Sequence, residues 1–147
     1  MSPELDALLC QRYPQIFADR HADMQTTCMC WGFSCGDGWF QLIDTLCAKL
    51  QRMTDEDGAP QIIAVQVKEK FGELRFYVRQ ASEAQFALID EAEQRSAQIC
   101  EICGEPGSVV VDGWVRTCCP RHTPDGALTL AQFEAARQAK QARKAKP

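Results

Sequence analysis

The chain has no run that approaches the roughly 18 to 20 consecutive apolar residues of a membrane-spanning helix. Residues 1–6 also have neither the basic nor the apolar region of a secretory signal. From these two absences we expect a globular protein of the cytoplasm without a membrane partner. Histidine is scarce as well, with two in 147 residues. Because His21 lies in an irregular stretch and a catalytic metal needs an open coordination position, the sequence does not favour a catalytic metal centre.

Positive charge is scarce over most of the chain. The net charge is −4, but residues 134–147 carry five basic groups against one acidic group and so hold +4. Residues 1–133 therefore hold −8. An acidic surface repels nucleic acid at long range, which disfavours general DNA binding by this part. The basic end could touch a polyanion, or it could be a solvated helix terminus.

The nine cysteines are the most informative residues of the chain. Their odd number and the missing secretory signal favour reduced thiols over disulfides. CEICG at residues 100–104 gives a C-x2-C pair closed by glycine, and CCPRH at residues 118–122 gives a second group of ligands. Two short β-prone runs between them are separated by Asp112-Gly113, which is a hairpin signal. The hairpin would bring both groups together as the tetrahedral set that zinc requires.

We predict one structural zinc ion with four ligands: Cys100, Cys103, Cys119 and His122. Cys118 is the alternative to Cys119, although neighbouring residues on a strand point in opposite directions. A site with four protein ligands has no position left for water or substrate, which is typical of structural zinc. A C-x2-C knuckle, a hairpin and a ligand pair resemble a treble clef or a short zinc ribbon.

The rest of the sequence predicts an α+β fold, in which a small antiparallel hairpin packs with helices. Four helices are expected, each opened by a capping residue: Ser2, Asp37, Ser82 with Gln85, and Thr129 with Gln132. The second helix has an apolar stripe, and so does the third: Trp39, Leu42, Ile43, Leu46, Cys47 and Leu50 in the second, and Phe86, Ile89, Ala92 and Ser96 in the third. The fourth has three residues able to dock it: Leu128, Leu130 and Phe133. Residues 62–67 and 74–79 read as the two strands of the hairpin. The chain thus divides into an α+β body at residues 1–98, a zinc module packed on it at residues 99–128, and a basic helix or tail at residues 129–147.

A dense aromatic segment at residues 28–40 has two interpretations. Its bulky side chains form either core packing or a contact surface for another protein, with four candidate contact residues: Trp31, Phe33, Trp39 and Phe40. The segment also supplies three thiols: Cys28, Cys30 and Cys35. They could form a second metal site with His21. Alternatively, one of them or Cys47 could act as a nucleophile paired with His21. No residue is visibly placed to orient the histidine as a catalytic triad requires, so we do not expect an enzyme.

The predicted hairpin carries a basic strip beside one aromatic ring. Because successive residues of a strand face opposite sides, Arg75, Tyr77 and Arg79 share the face away from the core. The strip is the candidate surface for nucleic acid and comprises five residues: Lys68, Lys70, Arg75, Tyr77 and Arg79. A solvated sheet face would have the same composition.

Four motifs together resemble a family of small proteins carried by tailed bacteriophages and prophages, generally without an assigned function. They are YPQIF at residues 13–17, CWGFSCGDGWF at 30–40, VKEKFGELRFY at 67–77 and CEICGEPG at 100–107. The resemblance covers most of residues 11–122. It implies a metal motif ending in C-x2-H, which favours Cys119 over Cys118, and the basic C-terminal segment is outside the pattern.

The resemblance also implies a phage-encoded accessory protein that acts in the bacterial cytoplasm. Our expectation is a zinc-stabilised protein that binds a host protein, for instance to inhibit a defence or metabolic enzyme. An acidic body suits this role because it can compete for the basic grooves of nucleic-acid enzymes. The alternative is a zinc-containing nucleic-acid-binding protein that uses the basic hairpin face and the tail. The sequence leaves the partner and the oligomeric state open.

Overall fold

The computed structural model describes residues 1–144, including the side chains of residues 1–142. Within that range the chain forms an α+β fold with two small antiparallel sheets, as predicted. The helices are α1 (Pro3–Arg12), α2 (Phe40–Asp57), α3 (Glu83–Ser96) and α4 (Leu130–Lys144). The strands are β1 (Ala64–Lys70), β2 (Glu73–Val78), β3 (Ser108–Val111), β4 (Val115–Cys118) and β5 (Leu128–Thr129). One sheet pairs β1 with β2, and the other has the order β4-β3-β5.

Helix α2 is the centre of the core. Its buried residues recur at helical spacing along one face, as the sequence predicts: Leu42, Ile43, Leu46, Cys47 and Leu50. The predicted cap is wrong, because Asp37 opens a short 3₁₀ turn and α2 starts at Phe40 without a side-chain cap. The Asp37 carboxylate instead accepts a hydrogen bond of 2.6 Å from the backbone N–H of Ser2.

Helix α3 begins with the predicted capping box. The Gln85 N–H donates to Ser82 Oγ at 3.2 Å, and the Ser82 N–H donates to Gln85 Oε1 at 2.9 Å. Ile89, Ala92 and Ser96 face the core as expected. Phe86, predicted on the same stripe, is 47% exposed, because the buried position at the start of the helix is taken by Gln85.

The β1–β2 hairpin is tighter than the sequence suggests. We predicted strands at residues 62–67 and 74–79, but the strands extend toward each other and leave only Phe71 and Gly72 as the turn. Both turn residues have positive φ, at 56° and 81°. Two positive φ values match the right-handed twist of the strands, and glycine adopts them freely. An aromatic residue in this conformation is uncommon, which explains why the turn was not recognised.

Side chains of α3 close the outer edge of β2. The Leu74 N–H donates to Ser96 Oγ, and the Phe76 N–H donates to the Glu93 carboxylate, each at 2.8 Å. Unpaired strand edges invite pairing with other chains. The helix therefore satisfies the edge that a two-stranded sheet would otherwise leave open.

A partly buried ion pair fixes the aromatic loop to α1. The Arg20 guanidinium donates to both carboxylate oxygens of Asp6, at 2.8 and 3.2 Å, and also to the Cys30 carbonyl at 3.1 Å. The Phe33 N–H donates to the same carboxylate at 3.3 Å. Gly32 has φ +77°, and a Cβ there would lie 2.4 Å from Asp6 Oδ2. The glycine of the WGF motif is thus required by a close approach to a carboxylate.

Helix α4 follows the predicted capping signature at Thr129 and Gln132, whose side chains and backbone N–H groups exchange hydrogen bonds. The residues expected to dock the helix remain partly exposed, between 36% and 43%: Leu128, Leu130 and Phe133. Of the predicted basic tail, residues 145–147 lie outside the described residues.

Candidate metal centre

Two turns present the predicted ligands. Cys100 follows α3 and opens the knuckle, where the Gly104 N–H donates to the Cys100 carbonyl at 2.9 Å and Gly104 has φ +79°. The β3–β4 hairpin leads to a second turn, in which the His122 N–H donates to the Cys119 carbonyl at 3.0 Å. The hairpin therefore returns the second pair of ligands to the first, as its sequence indicates.

One ligand atom from each of the four predicted residues lies within 4.8 Å of all the others: Cys100, Cys103, Cys119 and His122. The Sγ atoms of Cys103 and Cys119 are 3.7 Å apart. His122 Nδ1 is 3.5 Å from Cys100 Sγ and 3.3 Å from Cys119 Sγ. These four atoms are close enough for one metal ion to contact all of them. The cluster therefore has the donors and the dimensions to hold a metal ion.

Cys118 is outside this cluster. It is the last residue of β4, pairs with Ser108 across the sheet and is 2% exposed. Cys119 is the next residue and belongs to the cluster. The alternation of side chains along a strand thus separates two adjacent cysteines into one buried thiol and one ligand.

The surroundings of the cluster favour the thiolate form that a metal requires at two of the three cysteines, Cys119 and Cys100. At Cys103 a hydrogen bond from the Glu105 N–H lowers the pKa, but desolvation and the neighbouring Cys100 and Cys119 thiols outweigh it and raise the pKa. Burial opposes charge on Cys119, but hydrogen bonds from the N–H groups of His122 and Arg121 lower the pKa of its thiol to about 6. The pKa of Cys100 is lowered as well, because backbone N–H groups, first that of Cys119, outweigh burial. Hydrogen bonding to Cys100 raises the pKa of His122. The centre therefore attracts a cation, and a metal ion would displace the proton from the imidazole.

The first attachment of the centre to the body is a backbone contact at residues 36–38. The Gly38 N–H donates to the Glu101 carbonyl at 2.8 Å, and the Gly36 N–H donates to the Glu101 carboxylate at 2.8 Å. A Cβ on Gly38 would lie 2.1 Å from the Cys100 carbonyl oxygen. Sequence reasoning missed this contact. The sequence feature that could have indicated it is the pair Gly36 and Gly38, because glycine permits the close approach of another backbone, here that of the C-x2-C knuckle.

The second attachment comes from the β1–β2 turn. The Thr117 hydroxyl donates to the Gly72 carbonyl at 2.5 Å, and Thr117 is fully buried. A Cβ on Gly72 would lie 3.3 Å from methyl groups of both Val109 and Val115. The strands that carry the ligands are therefore held against the body from two sides.

Two of the four candidate contact residues of the aromatic segment are buried, which supports core packing for them. Trp39 is fully buried, and its indole N–H donates to the Ile99 carbonyl at 2.9 Å, so it packs the knuckle onto the body. Phe33 is also buried and stacks edge-on against Phe17. Phe40 is half-buried at the start of α2. Trp31 is the exception, since 68% of it is exposed.

The thiols of the same segment do not assemble. Among the described residues, the only cluster of three or more potential ligands is the one at the knuckle, which leaves the second site with His21 unsupported. Burial raises the pKa of Cys35 to about 12 and raises that of Cys47 as well. A neutral buried thiol is a poor nucleophile. These two cysteines are core residues.

The basic strip is partly neutralised. Arg75 pairs with Glu73 at 2.7 Å and with Glu93 at 3.5 Å, and Arg79 pairs with Asp19. The two lysines lie over aromatic rings, Lys68 over Tyr77 at 5.7 Å and Lys70 over Phe71 at 5.6 Å. Two of the four predicted cations therefore have carboxylate partners, and the strip offers phosphate less free charge than its sequence suggests.

No family model, curated protein or solved structure matches this chain at a significant level. Within residues 1–144, no helix combines the length and the apolar character needed to cross a bilayer.

Proposed function

We propose that this protein is a zinc-stabilised binding protein that acts through contact with another protein. The supporting observation is the closed centre, in which three thiols and one imidazole converge within 4.8 Å. Four protein ligands fill a tetrahedral zinc, so the metal has no free position for a substrate. The metal then holds the β3–β4 module together, and the function belongs to the surfaces around it.

The dimensions of the cluster fit zinc. Ligands at about 2.3 Å for sulfur and about 2.0 Å for nitrogen give a tetrahedron with edges of about 3.8 and about 3.5 Å. Three of the six separations between ligand atoms are close to these edges, at 3.7 Å between two sulfurs and at 3.3 and 3.5 Å between sulfur and nitrogen, and all six are within 4.8 Å. A donor set of three thiols and one imidazole is also one of the common structural zinc sets.

The partner we propose is a bacterial host protein, bound in the cytoplasm. Support comes from the resemblance to phage and prophage proteins and from the charge of −8 on residues 1–133. An acidic surface favours partners with a basic surface through complementary long-range fields. The ion pairs of Arg75 and Arg79 weaken the case for nucleic acid.

Metal analysis tests the centre. We expect about one zinc ion per purified chain and its loss in Cys103→Ser. The matched control is Cys118→Ser, which changes a neighbouring buried cysteine outside the cluster and should keep the metal. A folded wild-type protein that carries no metal, or zinc retained by Cys103→Ser and lost from Cys118→Ser, would contradict the assignment.

Affinity capture from a bacterial lysate tests the partner class. We expect one host protein in a stoichiometric amount, whose recovery survives nuclease treatment. Recovery of mixed nucleic acid that falls steeply between low and moderate salt would instead support the nucleic-acid alternative. Comparison with Lys68→Glu separates the two, because this change reverses one charge of the basic strip and leaves the ion pairs of Arg75 with Glu73 and Glu93 intact.

A further inference from the structure

Three large apolar side chains are exposed at one end of the molecule. Phe71 at the tip of the β1–β2 turn is 69% exposed, Ile102 in the knuckle 52%, and Trp114 at the β3–β4 turn 77%. The tips are neighbours, since Gly72 packs against Val115, and Ile102 and Trp114 line the same groove. Grouped apolar side chains on an otherwise polar surface mark interaction sites.

The groove between these tips follows the outer edge of β4. Its volume is about 240 Å³, and it is lined by Glu69, Glu101 and Arg116 together with Ile102 and Trp114. Pockets for drug-sized ligands measure about 300–1,000 Å³. A groove of this size is therefore suited to one long side chain of a partner.

The charges in the groove are unbalanced. Glu69 accepts the Gly72 N–H at 2.6 Å and Glu101 accepts the Gly36 N–H at 2.8 Å, so both carboxylates are held in place. Each uses Oε1 for this contact, and among the contacts of the described residues Oε2 has no donor. Arg116 is paired with Asp112 at 3.2 Å. The Arg116 charge also acts on Glu101, and its buried Nε has no acceptor among the described residues. The groove thus has two oriented carboxylates against one cation, and that cation already has Asp112 as a partner.

Hydrogen bonds join the knuckle and the β1–β2 turn through β4. The Glu101 N–H donates to the Thr117 carbonyl at 3.0 Å, which ties the knuckle to β4, and Thr117 in turn holds the β1–β2 turn. Phe71 has φ +56°, the one positive value for a residue other than glycine in the part of the chain described. Such conformations cluster at binding sites, where the surrounding structure imposes them. A preformed surface loses little freedom on binding.

We propose that this groove binds an arginine or lysine side chain from a basic segment of the protein partner. Glu69 and Glu101 would accept hydrogen bonds from the cation, and Trp114 would cover its apolar stem and contact its charge. Lys70, next to Glu69, lies over the Phe71 ring and does not line the groove. The inference rests on the proposed protein-binding function and defines the partner's chemistry.

Other surfaces carry less information. A larger groove of about 610 Å³ beside Met24 and Tyr77 has no charged residue in its lining. Nothing there indicates what would cover it. The β4 groove differs from it in having two carboxylates in its lining, Glu69 and Glu101.

Two synthetic peptides test the groove with the zinc-loaded protein. The probe is acetyl-Leu-Arg-Leu-amide, and the control replaces arginine with citrulline, which has nearly the same shape and no charge. In NMR titrations we expect saturable shifts of the Trp114 indole N–H and the Ile102 methyl signals with the arginine peptide. The citrulline peptide should bind at least about tenfold more weakly. The Trp31 indole, which is exposed elsewhere, should not move.

The variant is Glu69→Gln combined with Glu101→Gln. Glutamine keeps the oxygens that accept the Gly72 and Gly36 N–H groups, so the fold should persist, and the same spectra report it. The arginine peptide should then bind about tenfold more weakly. Equal binding of both peptides, undiminished binding to the variant, or no shift of Trp114 at saturating peptide would each overturn the proposal.

Capture of the natural partner separates this inference from the proposed function. If the wild-type protein retains one host protein and the double variant releases it, the proposed function and the assignment of the groove as the contact site are both supported. Retention by the variant overturns the groove as the contact site and leaves the protein-binding function intact. If the wild-type protein captures no protein at all, the proposed function fails, while the peptide titration still decides the chemistry of the groove.

Discussion

Two cysteine-rich segments of this chain fold in opposite ways. Residues 100–122 contain four cysteines and His122, and three of these thiols meet the imidazole in one cluster. Residues 28–40 contain three cysteines and follow His21, yet their thiols disperse between the core and the surface. Cysteine number is therefore a poor guide to a metal site. The difference is the spacing, since only the first segment has ligand pairs with two residues between them, C-x2-C and C-x2-H, on either side of a hairpin.

The chemistry of the thiols differs in the same way. Cys119 has a pKa lowered to about 6, because backbone N–H groups outweigh burial, and Cys35 has a pKa raised to about 12 by burial. One environment stabilises a thiolate and the other a neutral thiol. The first is suited to a cation and the second to packing.

The two regions also differ in what stabilises them. The body has one large apolar cluster that extends from α1 to α3. The module has few buried apolar residues of its own in the described structure, chiefly Val110 and Val111 beside its cysteines. Small units with little core usually need a metal or disulfides. The module should therefore depend on the ion and the body should not.

Metal removal is the strongest test of this difference. Structural zinc contributes apparent binding free energies of about 10–16 kcal/mol to folding. With a strong chelator, we expect the backbone amides of β3 and β4 to lose protection from hydrogen exchange, whereas those of α2 and β1 keep it. Equal loss of protection in both regions would show that the module and the body unfold as one unit.

Gly38→Ala breaks the contact between the regions without touching a ligand. The new Cβ would meet the Cys100 carbonyl at 2.1 Å, and neither backbone can move freely. We expect a loss of about 3–5 kcal/mol in the free energy of unfolding, measured by urea denaturation. Gly58→Ala is the matched control, because nothing lies within 4 Å of its Cβ position. It should cost only about 1–2 kcal/mol for its φ of +69°.

These contacts show what sequence can and cannot predict here. The ligands, the α2 stripe and the capping box of α3 follow from local spacing, and the structure contains all of them. The docking of Gly38 on the knuckle and the hydrogen bond from Trp39 to the Ile99 carbonyl depend on residues about 60 positions away, which no local pattern encodes. The turn at Phe71 was missed for another reason, since its conformation is one that aromatic residues rarely adopt.

Acid should release the metal while the body stays folded. A thiol whose pKa is lowered in the folded state stabilises that state at high pH, and this contribution is lost as the pH falls through the lowered value. For Cys119 that value is about 6. Each ligand that takes up a proton lowers the apparent zinc affinity about tenfold per pH unit. A cobalt-substituted sample should keep its tetrahedral absorption at pH 7 and lose it below about pH 6, and a constant spectrum through pH 4 would contradict this.

The smallest expected effect distinguishes the two tryptophans of the aromatic segment. Trp39→Phe removes the hydrogen bond to the Ile99 carbonyl and leaves a void in a fully buried position, so we expect it to cost about 1–3 kcal/mol. Trp31→Phe changes a residue that is 68% exposed and should stay within about 0.5 kcal/mol. Urea denaturation of both variants measures the difference. Because Trp39 also joins the knuckle to the body, Trp39→Phe should weaken zinc binding, whereas Trp31→Phe should not. Equal zinc affinities of the two variants would show that the module alone organises the ligands.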